Sequence, residues 1–105
     1  MEPIDLNRLK KFSKDHPVKQ ILHESQHLRM ALLCMEAGQE VPPHAAPSGV
    51  MIQVLEGEGE FTLGEEVKRG TDGTIFACQP NVPHGIRART RLAVLAIVAP
   101  RPDPV

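Results

Sequence analysis

Two histidines, His44 and His84, are the residues of this chain best placed to carry out chemistry. Each ends a proline-containing segment, residues 42–44 and 80–84 respectively, and proline restricts the backbone on which the histidine is held. A neutral imidazole offers one hydrogen-bond donor and one acceptor, and it is a common ligand of transition metals. We therefore expect His44 and His84 to face one small-molecule pocket.

The other three histidines have no such setting. His16, His23 and His27 lie in the amino-terminal third of the chain, beside a proline or a predicted turn. We interpret them as solvated or hydrogen-bonding residues.

Charge and aromatic content exclude several classes of partner. The formal net charge is -1, and the chain has three Phe and no Tyr or Trp. It therefore has neither the positive field that attracts nucleic acid or anionic lipid nor a platform for stacking bases. We expect a small-molecule ligand, and neither nucleic acid nor membrane as a partner.

The two cysteines and the amino terminus indicate a reducing compartment. Cys34 and Cys78 lie in apolar runs without CxxC spacing, which is typical of buried free thiols. The first residues lack the regions of a signal peptide, and the apolar stretch 92–99 is too short to span a bilayer. We expect a soluble, cytoplasmic protein.

The elements that must position the histidines are mainly strands. Leu6, Leu9 and Phe12, spaced by three residues behind an N-cap at Asp5, predict a short amphipathic helix that ends before Pro17. Short apolar runs then alternate with Gly or Pro, as in a sandwich or barrel. The predicted strands are Lys19–Ser25, Leu28–Glu36, Gly49–Glu56, Gly59–Leu63, Glu66–Arg69, Gly73–Cys78, His84–Arg89 and Leu92–Ala99.

This pattern divides the chain into an amino-terminal arm with a short helix (1–17), a barrel (18–99) and an extended tail (100–105). The glycines of residues 56–59 predict a hairpin turn. The runs 30–35 and 92–99 are apolar on both strand faces, which predicts a second sheet or a second subunit behind them. We expect a homodimer.

Two segments resemble the conserved motifs of the cupin family. Gly38, five intervening residues, His44 and then Val54-Leu55-Glu56-Gly57 are similar to the first motif, and residues 73–84 are similar to the second. The resemblance implies an all-β double-stranded β-helix, or jelly-roll barrel, in which the two motif histidines converge in the barrel mouth.

The sequence departs from the full cupin metal site. Such sites use two histidines and a glutamate of the first motif with the histidine of the second. Here Ala46 stands at the second histidine position, and the glutamate position falls at Val50, or at Met51 if the spacing is one residue longer. His44 and His84 remain as metal ligands, and the candidates for additional ligands are Gln53, Glu40 and Glu56. Even spacing along one strand would place Glu40 on the face of His44.

The remaining pocket positions are predicted to be apolar. Small and apolar side chains are expected to line the barrel interior: Ala46, Val50, Ile52, Val54, Phe76 and Cys78. On the opposite face of the His84 strand, Arg87, Arg89 and Arg91 alternate and are predicted to form a solvated or subunit-contact surface, the alternative being recognition of an acidic ligand on the outer sheet.

Two functional hypotheses follow from this site. The first is a binding module that holds a small molecule near His44 and His84, with or without a loosely bound divalent metal. The second is a metal-dependent cupin enzyme of the dioxygenase or isomerase type, using iron, manganese, nickel or zinc. The sequence leaves the presence of a metal open, and the second hypothesis needs a carboxylate ligand that the motif does not show.

Overall fold

Nine strands make up most of the fold. The computed structural model describes residues 2–102 of the 105-residue chain. It has one short helix, α1 (Leu6–Leu9), followed by nine strands: β1 (Val18–Glu24), β2 (Arg29–Met35), β3 (Glu40–His44), β4 (Gly49–Glu56), β5 (Gly59–Leu63), β6 (Glu66–Gly70), β7 (Ile75–Cys78), β8 (His84–Ala88) and β9 (Leu92–Ala99).

The strands form two antiparallel sheets that enclose the core. One sheet has the order β1-β2-β9-β4-β7 and the other the order β3-β8-β5-β6. Alternate residues of both sheets point between them and bury a continuous apolar cluster that includes Met35, Val54, Phe61, Leu92 and Val94. The architecture confirms the predicted double-stranded β-helix with a short N-terminal helix.

Strand β3 was not among the predicted strands. Pro42 and Pro43 lack backbone N–H groups and therefore indicated a loop, but β3 lies at the edge of its sheet and, among the strands described, pairs only with β8. An edge strand tolerates proline because one side of its backbone needs no ladder partner. The edge position is what allows a proline-rich strand to carry His44.

The predicted hairpin at residues 56–59 is wrong. Strands β4 and β5 belong to different sheets, so the turn between them carries the chain across the barrel. The need for glycine is nevertheless real, because Gly57 has φ +97° and a Cβ there would lie 2.0 Å from the Arg91 carbonyl oxygen.

The amino-terminal arm covers part of the outer face of the larger sheet. The Asp5 side chain caps α1 by accepting from the Asn7 backbone N–H, as the spacing predicted. Leu6, Leu9 and Phe12 pack against a buried cluster that includes Leu32 and Cys34. The chain itself therefore supplies part of the cover that the doubly apolar strands required.

Both cysteines are buried free thiols, as expected. No helix within residues 2–102 combines the length and the hydropathy needed to cross a bilayer. The predicted extended tail begins at Pro100, directly after β9, and its last residues, 103–105, lie outside the described part of the chain.

Candidate functional site

The two proline-flanked histidines face each other across neighbouring strands. His44 at the end of β3 pairs in register with His84 at the start of β8, and their ring centroids lie 4.4 Å apart with planes inclined by 57°. His84 is only 7% exposed, whereas His44 is exposed. The pair therefore lies at the mouth of the barrel, with one ring buried and the other exposed to solvent.

Backbone carbonyls hold both imidazoles in one orientation. Nδ1 of His44 lies 3.3 Å from the Pro42 carbonyl oxygen, and Nδ1 of His84 lies 3.2 Å from the Val82 carbonyl oxygen. A carbonyl oxygen only accepts, so each Nδ1 must carry the proton that it donates. In the neutral ring Nε2 then keeps a lone pair, which can accept a hydrogen bond or bind a metal.

A cavity of about 150 Å³ lies beside the two rings. Its walls are mostly aliphatic and come from both sheets, because the inward positions of β2, β4 and β9 meet those of β3 and β8. The main apolar lining residues are Ala31, Leu33, Val50, Ile52, Ala96 and Val98.

The other predicted pocket residues lie elsewhere in the barrel. Val54 and Cys78 are buried in the main core cluster, and Phe76 stacks on Phe61 with ring centroids 4.6 Å apart. Ala46 is half-buried, and its carbonyl oxygen accepts from the Asn81 N–H at 2.7 Å. The barrel interior is thus divided into a packed end and an open end, and the histidines lie at the open end.

None of the three candidate additional ligands lines the cavity. A register shift between Val41 and His44 breaks the even spacing, so Glu40 lies opposite Arg87 and pairs with it at 3.3 Å. Glu56 pairs with Lys10 at 3.0 Å. Gln53 lies between Leu95 and Ile75, on the sheet face opposite the inward residues of β4.

The donor set around His44 and His84 is smaller than that of a full metal site. Within residues 2–102 no three His, Cys, Asp or Glu side chains come together in a metal-binding group. Protein sites for transition metals generally use three or more such ligands. Two cationic side chains, Lys19 and Arg29, also line the cavity. The described residues therefore do not fit a tightly held metal ion.

Lys19 and Arg29 are the charged cavity residues that the sequence did not reveal, and the unpredicted apolar lining residues include Ala31, Leu33, Ala96 and Val98. Arg29, Ala31 and Leu33 follow the two-residue period of β2 and all line the cavity. Because the run 30–35 is apolar on both faces, the sequence did not show which face is inward. Lys19 on β1 pairs in register with Leu33 and shares its face. That placement depends on the pairing of β1 with β2, which the sequence does not display.

Of the arginines after His84, Arg87 lies within β8, on the face opposite the histidine. In β8 His84, Ile86 and Ala88 are buried whereas Arg87 is exposed. All three arginines make ion pairs on the outer surface: Arg87 with Glu40, Arg89 with Glu60 at 2.6 Å, and Arg91 with Glu36 at 2.9 Å. They contribute no charge to the cavity.

A two-sheet β-barrel with a paired histidine at its open end is the arrangement that the cupin motifs imply. The family model described as Cupin domain matches residues 31–98, and the chain therefore belongs to the cupin family. A search of curated proteins found no match.

Solved structures support the same assignment. An RmlC-like cupin protein from Desulfovibrio desulfuricans is 34% identical, with a TM-score of 0.87 over 95% of this chain and 97% of that chain. The protein TT1209 from Thermus thermophilus is 28% identical, with a TM-score of 0.92 over 97% of this chain and 100% of that chain. KdgF from Halomonas sp. is 21% identical with a TM-score of 0.79 over 84% and 83%, a likeness that extends to the fold alone.

Proposed function

We propose that this cupin binds a small molecule in the cavity beside His44 and His84. The observation that carries the proposal is that two oriented imidazoles, with ring centroids 4.4 Å apart, line an aliphatic cavity of about 150 Å³. A cavity of that size accepts about six carbon-sized atoms. Aliphatic walls provide affinity by excluding water, and a few fixed polar groups orient the ligand.

The imidazoles suit a ligand that donates a hydrogen bond. Because each Nδ1 is committed to a backbone carbonyl, the neutral ring presents only the acceptor Nε2 to a ligand. A hydroxyl or amine on the ligand matches this acceptor.

A histidine double variant tests the proposal. We expect native mass spectrometry of untagged wild-type protein to detect a retained small molecule, and the variant His44→Ala/His84→Ala to lose it. The matched control is His16→Ala/His27→Ala, which removes two exposed histidines away from the cavity. Retention of the same molecule by the His44/His84 variant would contradict the proposal.

A metal-dependent enzyme is the second candidate. The anchoring of both Nδ1 atoms favours it, because metal-ligating histidines commonly donate their other ring N–H to a carbonyl. Elemental analysis of the same proteins separates the two functions. Metal that is near one equivalent in wild type and absent from the His44/His84 variant would favour the enzyme, and wild-type protein that stays metal-free after supplementation with iron, manganese, nickel and zinc would favour the binding module.

A further inference from the structure

Beside its apolar walls, the cavity carries a group of basic side chains. The ionisable or polar side chains that line it are Lys19, Arg29, His44 and His84, and no carboxylate is among them. Lys19 makes no salt bridge with any of residues 2–102. An ammonium group is thus available to a ligand.

Within residues 2–102, Arg29 forms a salt bridge with one residue, Glu24, which Arg29 shares with Arg101. The Glu24 carboxylate accepts a hydrogen bond from Nε of Arg29 at 2.5 Å, and it also lies 3.6 Å from the Arg101 guanidinium. Lys19 and Arg29 line the cavity, and behind Arg29 the single carboxylate of Glu24 is shared with Arg101, so these four side chains carry three positive charges and one negative charge. The Arg29 hydrogen bond keeps the pKa of Glu24 below its ordinary value, so Glu24 is ionised at neutral pH and the excess charge is positive.

From this arrangement we infer that the ligand is a small carboxylic acid that also bears a hydroxyl donor. Its carboxylate meets Lys19 and Arg29, its short carbon chain fills the aliphatic cavity, and its hydroxyl donates to Nε2 of His44 or His84. The inference rests on the proposed binding function and specifies the substrate class for the same cavity.

The three parts of the ligand are required for separate reasons. A charged hydrogen bond from Lys or Arg to a carboxylate is stronger than a neutral one. The Arg29 side chain is partly buried, at 29% exposure, which strengthens its hydrogen bonds further, whereas Lys19 is exposed. Without a hydroxyl, the histidine Nε2 acceptors would be covered by aliphatic ligand and would lose their bonds to water. The cavity volume limits the ligand to about six heavy atoms inside the barrel.

Lys19 has a structural alternative. Strand β1 is at the edge of its sheet, and inward-pointing charges on edge strands oppose edge-to-edge aggregation. That role would make Lys19 important for solubility and irrelevant to ligand affinity. The experiment must therefore measure affinity and solubility separately.

The test is a titration followed by NMR of the methyl groups of Val50, Ile52 and Val98, all of which line the cavity. The probes are 2-hydroxybutanoate, butanoate and butane-1,2-diol, which differ in the carboxylate or the hydroxyl. We expect 2-hydroxybutanoate to bind most tightly. Replacing Lys19 or Arg29 by Met should weaken it about tenfold and leave the diol unchanged, because only the acid uses the cationic groups.

Three further variants sharpen the result. Lys19→Arg keeps the charge and should retain most of the affinity, whereas Lys68→Met, on an exposed part of the other sheet, should change nothing. Glu24→Gln removes the competing carboxylate and should tighten 2-hydroxybutanoate a few-fold. Far-UV circular dichroism and size exclusion report folding and aggregation of each variant.

The outcomes distinguish this inference from the proposed function. If no probe shifts the cavity methyl groups at millimolar concentration, both the binding function and the ligand class are overturned. If the diol binds as tightly as the acid, or if Lys19→Met and Arg29→Met leave the affinity for the acid unchanged, only the carboxylate inference falls. Butanoate binding as tightly as 2-hydroxybutanoate would overturn the hydroxyl assignment.

Discussion

The separation of the two imidazoles depends on a glycine beside one of them. Gly85 follows His84 in β8, and a Cβ at this position would lie 2.8 Å from Pro43 N and 2.9 Å from the Val41 carbonyl oxygen. Both contacts are backbone atoms of β3, which cannot rotate away as a side chain can. Only glycine allows β3 to approach β8 closely enough to bring His44 against His84.

Replacing Gly85 by Ala should therefore damage both stability and binding. We expect the free energy of unfolding to fall by about 1–3 kcal/mol, the usual range for overpacking, because β3 must move outward. Chemical denaturation measures this, and the NMR titration with 2-hydroxybutanoate should show weaker binding. Gly49→Ala is the control, since its Cβ would meet the nearest backbone oxygens at 3.6 and 3.8 Å. Equal effects of the two substitutions would contradict the argument.

The ion pair between Glu36 and Arg91 makes a pH-dependent contribution to stability. Arg91 donates from Nε and Nη2 to the two carboxylate oxygens, at 2.9 and 3.0 Å, and these hydrogen bonds lower the pKa of Glu36. A carboxyl group with a lower pKa in the folded than in the unfolded state stabilises the fold above the unfolded pKa. That contribution is lost as the pH falls through the folded pKa.

Thermal unfolding between pH 7 and pH 3 tests this contribution. The melting temperature should begin to fall below about pH 4.3, the ordinary pKa of glutamate, and Glu36→Gln should flatten part of that decline. Glu65→Gln is the control, because Glu65 forms no salt bridge with the described residues. A decline that Glu36→Gln leaves unaltered would show that other groups control acid unfolding.

At the level of elements, the turn between β4 and β5 and the arm before β1 hold the two sheets in place. The turn carries the chain from one sheet to the other at Gly57, directly against the Arg91 carbonyl. The arm seals one outer sheet face through Leu6, Leu9 and Phe12, and Arg91 lies 4.3 Å from the centre of the Phe12 ring. Neither element touches the cavity, so both contribute to stability alone.

Two glycine substitutions separate backbone strain from collision. Gly38 and Gly57 both have positive φ, +87° and +97°, but a Cβ on Gly38 meets nothing within 4 Å. We expect Gly38→Ala to cost about 1 kcal/mol of stability and Gly57→Ala several kcal/mol, because only the latter drives a methyl group into a carbonyl. Denaturant titration of both variants measures the difference. Similar losses would show that the turn shifts easily.

The labelling rate of the Cys34 thiol reports how firmly the arm covers the sheet. Cys34 is fully buried beneath the arm, and burial raises its pKa, so it should react slowly with Ellman's reagent. In a Cys78→Ser background, Phe12→Ala should raise the labelling rate of Cys34 about tenfold, because local opening becomes easier. In a Cys34→Ser background the same substitution should leave Cys78 unaffected. Equal acceleration of both thiols would indicate global unfolding instead.

At the scale of the whole molecule, part of the larger sheet's outer face remains apolar beyond the arm. Met30, Ile97, Met51 and Ala77 pair side by side across β2, β9, β4 and β7. They lie on the face opposite the cavity, since the inward residues of β4 are Val50 and its even-numbered neighbours. Contiguous apolar surface of this kind is typical of subunit contacts.

A second copy of the chain on this face is our expectation for its oligomeric state. Light scattering coupled to size exclusion should give the mass of a dimer for the wild type, and Ile97→Asp should shift it to that of a monomer, because a charge in an apolar contact is costly. The control is Val67→Asp, an exposed apolar position on the other sheet. A wild-type monomer would refute the expectation.

Local patterns in the sequence predicted much of this protein. Short apolar runs bounded by Gly or Pro located eight of the nine strands described, and the two-residue period of a strand placed Arg87 on the face opposite His84. The proline-containing segments 42–44 and 80–84 indicated the two histidines that lie side by side. These properties depend on neighbouring residues, because the period of two in a strand decides which face a side chain occupies.

Tertiary structure alone decided which side chains meet across strands. The register shift in β3 places Glu40 outside while His44 pairs with His84, the chain crosses between sheets at Gly57, and the pairing of β1 with β2 brings Lys19 into the cavity. Each of these facts depends on contacts between distant segments. A single shift in register exchanges the two faces of a strand, and nothing in the local pattern records it.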